Sequence, residues 1–171
     1  SGVDISATAL EGGWQLEGRG NYVLHAQNAD VLIVIANTES GLAAYTVDPS
    51  DDAVQIEALP TLDRTLRIAS VRFSGASAKQ INATRPVWEA VSQALNLALV
   101  ALAGEQAGGA KKVLDFTVEY AKTRIQFGRQ IGSFQAIKHM AADLLVETES
   151  AISAARHAAS SLADPSSHTH E

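Results

Sequence analysis

Residues 120–139 read YAKTRIQFGRQIGSFQAIKH, and this stretch decides the fold of the C-terminal half of the chain. Its pattern predicts the end of one helix, a tight turn that contains glycines, and the start of a second helix. Around the turn lie an arginine, a phenylalanine and a glutamine, which are Arg124, Phe127 and Gln135. These three side chains are the first candidates for a functional site.

Two interpretations of this turn follow from the residues. In the first, Arg124 is a charge at the negative end of a helix dipole, and Phe127 and Phe134 are core residues. In the second, the guanidinium takes a pyrophosphate in fork geometry, with Phe127 stacking and Gln135 hydrogen-bonding beside it. The glycines of the turn would let the backbone approach such a ligand closely. Spacing alone favours the first interpretation.

Helical periodicity extends on both sides of the turn. A first helix is predicted from Pro86, whose missing N–H is not needed in a first turn, to about Lys122. A second helix is predicted from near Ser133 to Ala163. The first helix contains three glycines that would each cost about 1 kcal/mol against alanine at exposed positions, so we expect another helix to pack closely there. These are Gly104, Gly108 and Gly109.

The first 80 residues have a strand pattern instead. Apolar and polar residues alternate on both sides of residues 18–21, which predicts a hairpin turn at those four residues. The apolar run at 31–35 predicts a strand buried on both faces. Ile68, Val71 and Phe73 are the expected inward residues of the last strand, and strand signals stop after Ser74. Further strands are predicted at 42–47, 54–59 and 66–73.

Together these patterns predict an α+β fold: an antiparallel β-sandwich or barrel followed by two long antiparallel helices. We place the domains at 1–80 and 81–171. Two helices cannot bury both their faces against each other, and a four-helix bundle is the usual solution. The chain supplies two of the four helices of such a bundle, and the polar tail at 166–171 does not supply the other two. We therefore expect the chain to be part of a larger protein.

Composition excludes several classes of protein. The net charge of −6 argues against a nucleic-acid partner. The absence of cysteine rules out a disulfide framework and fits a cytoplasmic location. The longest apolar run, 95–103, is far shorter than the ~20 residues of a membrane span. His168 and His170 lie in the polar tail, and we predict no metal site there.

The pattern R-x-Q-F-G-x-x-I-x-x-F-Q-x-x-K-H at 124–139 resembles the flavin-binding signature of the acyl-CoA dehydrogenase family. The resemblance favours the second interpretation of the turn. It implies that Arg124, Phe127 and Gln135 contact the ADP part of an FAD bound mainly by the neighbouring subunit, and therefore at least a dimer. It also implies that the chain is the middle β-domain plus the first two helices of the C-terminal bundle, without the N-terminal domain and the later bundle helices.

A second resemblance lies in the β-region. Residues 12–25, GGWQLEGRGNYVLH, resemble the family segment G-x-x-x-L-x-G-x-K-x-W-I-T-N. In the family, the tryptophan packs on the isoalloxazine and the threonine hydrogen-bonds near its reactive nitrogen. The matching residues here are Tyr22 and Leu24. Tyrosine can still pack on a flavin, whereas Leu24 has lost the hydroxyl, so only its backbone could serve. Plain strand packing is the alternative for both residues.

The resemblance does not supply a catalytic base. The family reaction removes an α-proton from an acyl-CoA thioester, with hydride transfer from the β-carbon to FAD, and needs a carboxylate. The usual glutamate lies on a later helix, beyond Glu171. Some relatives carry one on the first bundle helix, at the position of Ala98 with an arginine at that of Leu99. Glu105 is nearby, but a solvated helix charge or a partner of Lys111 or Lys112 explains it better. The base remains unassigned.

The resemblance thus implies an FAD-dependent acyl-CoA dehydrogenase that forms 2,3-enoyl-CoA and passes electrons to an electron-transfer flavoprotein. An alternative is a non-catalytic structural subunit of a hetero-oligomer that completes a partner's FAD site. The departures at Leu24, Ala98 and Leu99 keep that alternative open. A third possibility is a relative that uses the same frame for oxidase or other flavin chemistry.

Overall fold

Six β-strands form one sheet in the first part of the chain, in a computed structural model that describes residues 3–163. The strands are β1 (Ser6–Leu10), β2 (Gly13–Leu24), β3 (Leu32–Thr38), β4 (Gly41–Val47), β5 (Val54–Ala58) and β6 (Ile68–Gln80). Their order is β2-β1-β3-β4-β6-β5, and β2 also pairs with β6, so the sheet closes into a barrel with β5 beside β6. All pairs are antiparallel except β1 with β3, which meet in parallel at Ser6 and Asn37.

Alternation along the strands places one face of each in a common apolar core. Val71 and Phe73 are buried in this core, which confirms two of the three predicted inward residues of β6, whereas Ile68 is half-buried and lies by alternation on the opposite face. Trp14 packs at a tilt against the buried Tyr45, with ring centroids 5.3 Å apart. The core also includes Leu16, Leu32, Val34, Val47 and Ala76.

The hairpin turn predicted at residues 18–21 is wrong, because these residues lie inside β2. The chain reverses earlier, between β1 and β2, at Glu11 and Gly12. Gly18 has a φ of +130°, and a Cβ there would collide with the backbone of Asp4. It lies beside a register shift in the β2–β6 pairing. The glycine therefore permits close approach of the segment that precedes β1, next to a bulge, rather than a chain reversal.

Two other strand predictions need correction. Residues 31–35 are not buried on both faces, since Val31 is 51% exposed and Ile33 69% exposed while Leu32 and Val34 are buried. A barrel strand packs only one face on the core, so a β-branched run does not imply two covered faces. The last strand also continues beyond Ser74 to the end of β6, because its small and polar residues pair with β2 and β4.

Two long helices follow, and the chain divides into two compact units at Val91 and Ser92. Helix α1 spans Val87–Thr123 and helix α2 spans Gln135–Ala163, in agreement with the predicted ends. The helices are antiparallel: the cleft between them joins Leu114 and Ala121 of α1 to Ile137 and Leu144 of α2. At the opposite end, the first half of α1 lies along the second half of α2.

Large apolar side chains on both helices remain exposed in this unit. Apart from the local backbone of α1, a Cβ at any of the three α1 glycines would meet no atom within 4 Å, so the close helix packing predicted there is not seen among residues 3–163. Helix α1 is long and apolar enough, by length and composition only, to cross a membrane. The core helix of a soluble protein can have the same length and composition, but none of the qualifying 18-residue window of α1 is buried in this structure. Outside that window α1 buries Ala107, Leu114 and Ala121. The exposed apolar residues include Leu95, Leu97, Phe116, Met140, Leu144 and Val146.

Candidate functional site

A short hairpin joins the two helices and carries the predicted site residues. Its strands are β7 (Ile125–Gln126) and β8 (Arg129–Gln130), which pair antiparallel. The two residues between them, Phe127 and Gly128, have φ values of 54° and 76°. Positive φ at both central residues is the feature of a type I′ hairpin turn, in which glycine is common and phenylalanine is rare. The backbone therefore holds Phe127 in an uncommon conformation, and its side chain is 92% exposed.

The backbone of Arg124 is tied at both ends of the turn. Its N–H donates to the Tyr120 carbonyl at 2.9 Å, and its carbonyl accepts from the Ile131 N–H at 2.8 Å. The first bond closes the last turn of α1, and the second returns the chain to the start of α2. The Arg124 side chain is exposed. The guanidinium thus projects from a fixed point at the end of the hairpin.

An aromatic pair lies beside this point. The rings of Phe127 and Phe134 meet edge to face, with centroids 6.1 Å apart and planes at 88°. The Arg129 guanidinium carbon lies 4.0 Å from the centroid of Phe134. Such cation–π contacts are favourable and orient both partners. Sequence reasoning missed Arg129, because one arginine in a turn has no periodicity or spacing to mark it.

Gly132 explains how the hairpin lies so close to α1. A Cβ at this residue would lie 2.9 Å from the carbonyl oxygen of Ala121, closer than real Cβ contacts. The residue sits in the 3-10 turn Ile131–Ser133, where the Ser133 hydroxyl donates to the Gln130 carbonyl at 2.6 Å. Glycine is therefore needed here for close approach. Its contact is with the preceding helix of the same chain.

Gln135 is the first residue of α2, and its side chain is exposed. Its amide nitrogen lies 3.4 Å from the Nε2 of His139, one helical turn further on. This pairing leaves the amide oxygen of Gln135 available to a ligand. Arg124, Phe127 and Gln135 are thus all exposed residues on or beside one hairpin, as the sequence predicts. They are not core residues of this unit.

The second pair of predicted site residues lies on β2, in the first unit. Tyr22 has a φ of 59° and is 77% exposed, and Leu24 is 60% exposed. Plain strand packing therefore does not explain either side chain within this unit. The nearby His25 also has a positive φ, 55°, and its N–H donates to the Arg67 carbonyl at 2.8 Å.

Possible acid–base groups near the middle of α1 are few. Ala98 and Leu99 are exposed and can neither accept nor steer a proton. Glu105 is exposed too. The proposed partner Lys111 is paired instead with Asp115 at 2.7 Å, and the hydrogen bond that its ammonium donates to this carboxylate raises the pKa of Lys111. Among residues 3–163, no ion pair joins Glu105 to Lys111 or to Lys112, the other predicted partner, so a solvated charge describes Glu105.

Metal-binding groups do not converge in the part of the chain that the structure describes. Among residues 3–163, no three histidine, cysteine or acidic side chains lie close enough together to hold an ion. The histidines considered in the sequence, His168 and His170, lie outside the described residues. What the site residues do present is a cation, an exposed aromatic ring and an amide. Such a set suits a flat, anionic ligand.

Comparisons with known proteins agree with one another. Residues 88–170 match the family model of the acyl-CoA dehydrogenase C-terminal domain. Acyl-CoA dehydrogenase IpdE2 of Mycobacterium tuberculosis is 40% identical over 126 residues, which is 74% of this chain and 34% of that protein. The chain therefore spans about a third of the length of this relative.

Solved structures extend the likeness to both units. A glutaryl-coenzyme A dehydrogenase in complex with glutaryl-CoA has a TM-score of 0.87 and 26% identity, covering 94% of this chain and 43% of that one. The ChsE4–ChsE5 complex of Mycobacterium tuberculosis has a TM-score of 0.79 and 28% identity, covering 95% of this chain and 44% of that one. The chain is thus similar to somewhat under half of each structure.

Proposed function

The chain belongs to the acyl-CoA dehydrogenase family, and on that premise we propose that it is part of an FAD-dependent enzyme that converts an acyl-CoA thioester to a 2,3-enoyl-CoA. The chain spans only part of its relatives, so the proposal concerns the whole protein. This chain's share is cofactor binding and subunit association. The catalytic carboxylate lies in another segment of the protein in this proposal, because neither Ala98 nor Leu99 can accept a proton.

The observation that carries the proposal is the hairpin at the end of α1. It holds Phe127 at positive φ with its ring exposed, and it places the exposed side chains of Arg124 and Gln135 nearby. An uncommon backbone conformation kept for an exposed aromatic ring motivates a hypothesis of ligand binding. These residues fit FAD: Arg124 for the pyrophosphate, Phe127 for stacking and Gln135 for hydrogen bonding. When bound, FAD supplies the acceptor for the hydride.

The β-unit contributes the other two residues in this proposal. Tyr22 offers an exposed ring for the isoalloxazine, and Leu24 offers only its backbone groups. Loss of the family hydroxyl at Leu24 removes one hydrogen bond that would tune the flavin. We therefore expect the redox behaviour of the protein to differ from that of relatives with threonine at this position.

Association with other subunits forms part of the same proposal. Exposed apolar residues on α1 and α2 form more surface than a soluble monomer normally leaves in water. In the proposed enzyme, later bundle helices and a neighbouring subunit cover these faces, and Arg124 reaches a cofactor held mainly by that neighbour. An electron-transfer flavoprotein is the proposed electron acceptor. Sedimentation of the full-length protein as a monomer would contradict the shared site.

The decisive experiment measures flavin in the purified full-length protein. We expect a yellow protein with a flavin absorption band that an acyl-CoA bleaches under anaerobic conditions. A panel of acyl-CoA thioesters would then identify the substrate class. A protein that binds no FAD, alone or with its partner subunits, contradicts the proposal.

A second candidate function is a non-catalytic subunit that completes the FAD site of a partner in a hetero-oligomer. The departures at Leu24, Ala98 and Leu99 favour it, and one similar structure is a complex of two different subunits. Mixing tests distinguish the two candidates. The enzyme bleaches with acyl-CoA on its own, whereas the structural subunit does so only after its partner is added, and Arg124→Ala then weakens FAD binding by the mixture.

A further inference from the structure

The pairing of β2 with β6 contains a bulge at the residues that present Tyr22. Gly20 is opposite Val71 and Val23 is opposite Ala69, so Asn21 and Tyr22 together face one residue of β6. That one residue is Ser70. Two residues against one is the definition of a β-bulge, which bends the strand and redirects a side chain. Here it accompanies the positive φ of Tyr22 and the exposure of its ring.

Ser70 is a buried hydroxyl at the centre of this bulge, only 2% exposed. Its neighbours Ala69 and Val71 belong to the barrel core, so alternation places Ser70 on the opposite face of the strand. Its oxygen accepts a hydrogen bond from the Arg19 Nε at 2.5 Å. Its own proton points to the Asn21 Oδ1 at 3.1 Å, with the Gly20 carbonyl at 3.5 Å. The hydroxyl therefore bonds to the bulge itself.

Arg19 covers this hydroxyl and links three strands. It lies on β2, while Glu57 on β5 is paired directly with Ser70 of β6. The guanidinium of Arg19 reaches the Glu57 carboxylate at 3.5 Å. Both charged side chains are largely exposed, so the ion pair itself adds little stability. Its geometric effect is to hold the guanidinium over Ser70.

We propose that Ser70, held by Arg19, is a positioning residue that fixes the β2 bulge and thereby the outward orientation of Tyr22. The proposal rests on the proposed function, in which Tyr22 packs on the flavin. A polar residue on this buried stretch of β6 is otherwise unexplained, because an alanine would fill the same space. A slip by one residue turns a strand's side chains to the other face. The hydrogen bonds of Ser70 hold the bulge in one register.

Ser70→Ala in the full-length protein tests this directly. Hydrogen exchange at the backbone amides of residues 20–23 reports on the bulge whether or not FAD is bound. We expect faster exchange there and a loss of FAD affinity of about threefold to tenfold, which corresponds to one lost hydrogen bond. Ser74→Ala, an exposed serine of the same strand, is the matched control and should leave both measurements unchanged. Ser70→Thr keeps the hydroxyl and should restore slow exchange.

A double substitution shows whether Ser70 acts through Tyr22. Ser70→Ala should have no further effect on FAD affinity in a Tyr22→Ala background. Unchanged exchange at residues 20–23 in Ser70→Ala, or additive effects of the two substitutions, would overturn the proposal. If the bulge opens but Tyr22→Ala leaves FAD affinity unchanged, the link from Ser70 to the cofactor is overturned. In that case the proposed dehydrogenase function is still supported if an acyl-CoA bleaches the flavin.

Discussion

Arg129 stacks on Phe134, with its guanidinium carbon 4.0 Å from the ring centroid. Phe134 in turn meets the ring of Phe127 in a perpendicular arrangement. The exposed ring of Phe127 therefore contacts a residue that also carries a cation over its own ring. This chain of contacts links the start of α2 to the tip of the turn.

Removal of the cation should weaken the hairpin. We expect Arg129→Ala to lower the free energy of unfolding by about 0.5–1 kcal/mol, the range for exposed cation–π pairs. Arg129→Lys should keep part of this stabilisation, because an ammonium group also attracts the ring but cannot stack on it as a planar group. Urea denaturation of the full-length protein measures the free energy of unfolding of both Arg129 variants, and Arg64→Ala, at an exposed residue, is the control. Equal stability of the Arg129→Ala variant and the original protein would show that the stack contributes nothing.

Gly132 provides a steric prediction. Gly132→Ala should destabilise the protein by about 1–3 kcal/mol, since the new methyl group would overlap the Ala121 carbonyl and force the hairpin away from α1. Gly13→Ala is the control, because its Cβ would meet only the Ala78 carbonyl at an ordinary 3.7 Å. Thermal unfolding compares the two. A Gly132→Ala variant as stable as the control would mean that the hairpin has room to move.

The sequence predicts the helical half of the chain well, since its signals are local. Apolar residues at helical spacing and the glycines of the turn mark α1, the hairpin and α2. The same locality explains the agreement for Arg124, Phe127 and Gln135, which lie within one short stretch. Binding of FAD by these residues does not follow from the same pattern, because a ligand produces no periodicity in the sequence.

The β-half is predicted less well, because strand pairing depends on distant residues. The glycines at 18–21 look like a turn locally, yet β6 pairs with this segment from about fifty residues away and converts it into a bulged strand. The end of β6 carries few large apolar residues, so the alternation pattern does not predict that the strand continues beyond Ser74. The positive φ of Tyr22 arises from the same pairing and has no local signal.

Acid should affect the β-unit through Asp51. Hydrogen bonds from the backbone N–H groups of Ala53, at 2.9 Å, and Ser77, at 3.0 Å, hold the pKa of Asp51 below its usual value. A carboxyl group with a lower pKa in the folded state contributes stability above its unfolded pKa of about 3.9. That contribution is lost as the pH falls through the lower, folded value.

We therefore expect Asp51→Asn to reduce stability at neutral pH and to match the original protein increasingly as the pH falls below about 3.9. Urea unfolding midpoints across this range measure the difference. Asp52→Asn removes the adjacent, exposed carboxylate and is the control for the loss of one negative charge. A constant difference between Asp51→Asn and the original protein at every pH would contradict the account.

The sharpest test of the proposed function is Arg124. If its guanidinium binds the FAD pyrophosphate across a subunit interface, Arg124→Ala removes a charge-assisted contact of about 1.5–3 kcal/mol. FAD affinity should then fall by about 10- to 100-fold, at about 1.4 kcal/mol for each factor of ten. The fold should survive, because Arg124 is exposed and its backbone hydrogen bonds do not need the side chain.

Two further variants separate this role from that of a helix-end charge. Arg124→Lys should restore only part of the affinity, because a point charge cannot reproduce the two-pronged contact. Lys112→Ala, which removes an exposed cation of α1, is the control and should leave FAD binding unchanged. A helix-end charge alone predicts a stability loss of about 0.3–1 kcal/mol with no effect on flavin. FAD titration of the full-length apo-protein therefore decides the matter, and unchanged affinity in Arg124→Ala would leave Arg124 as the terminus of a helix.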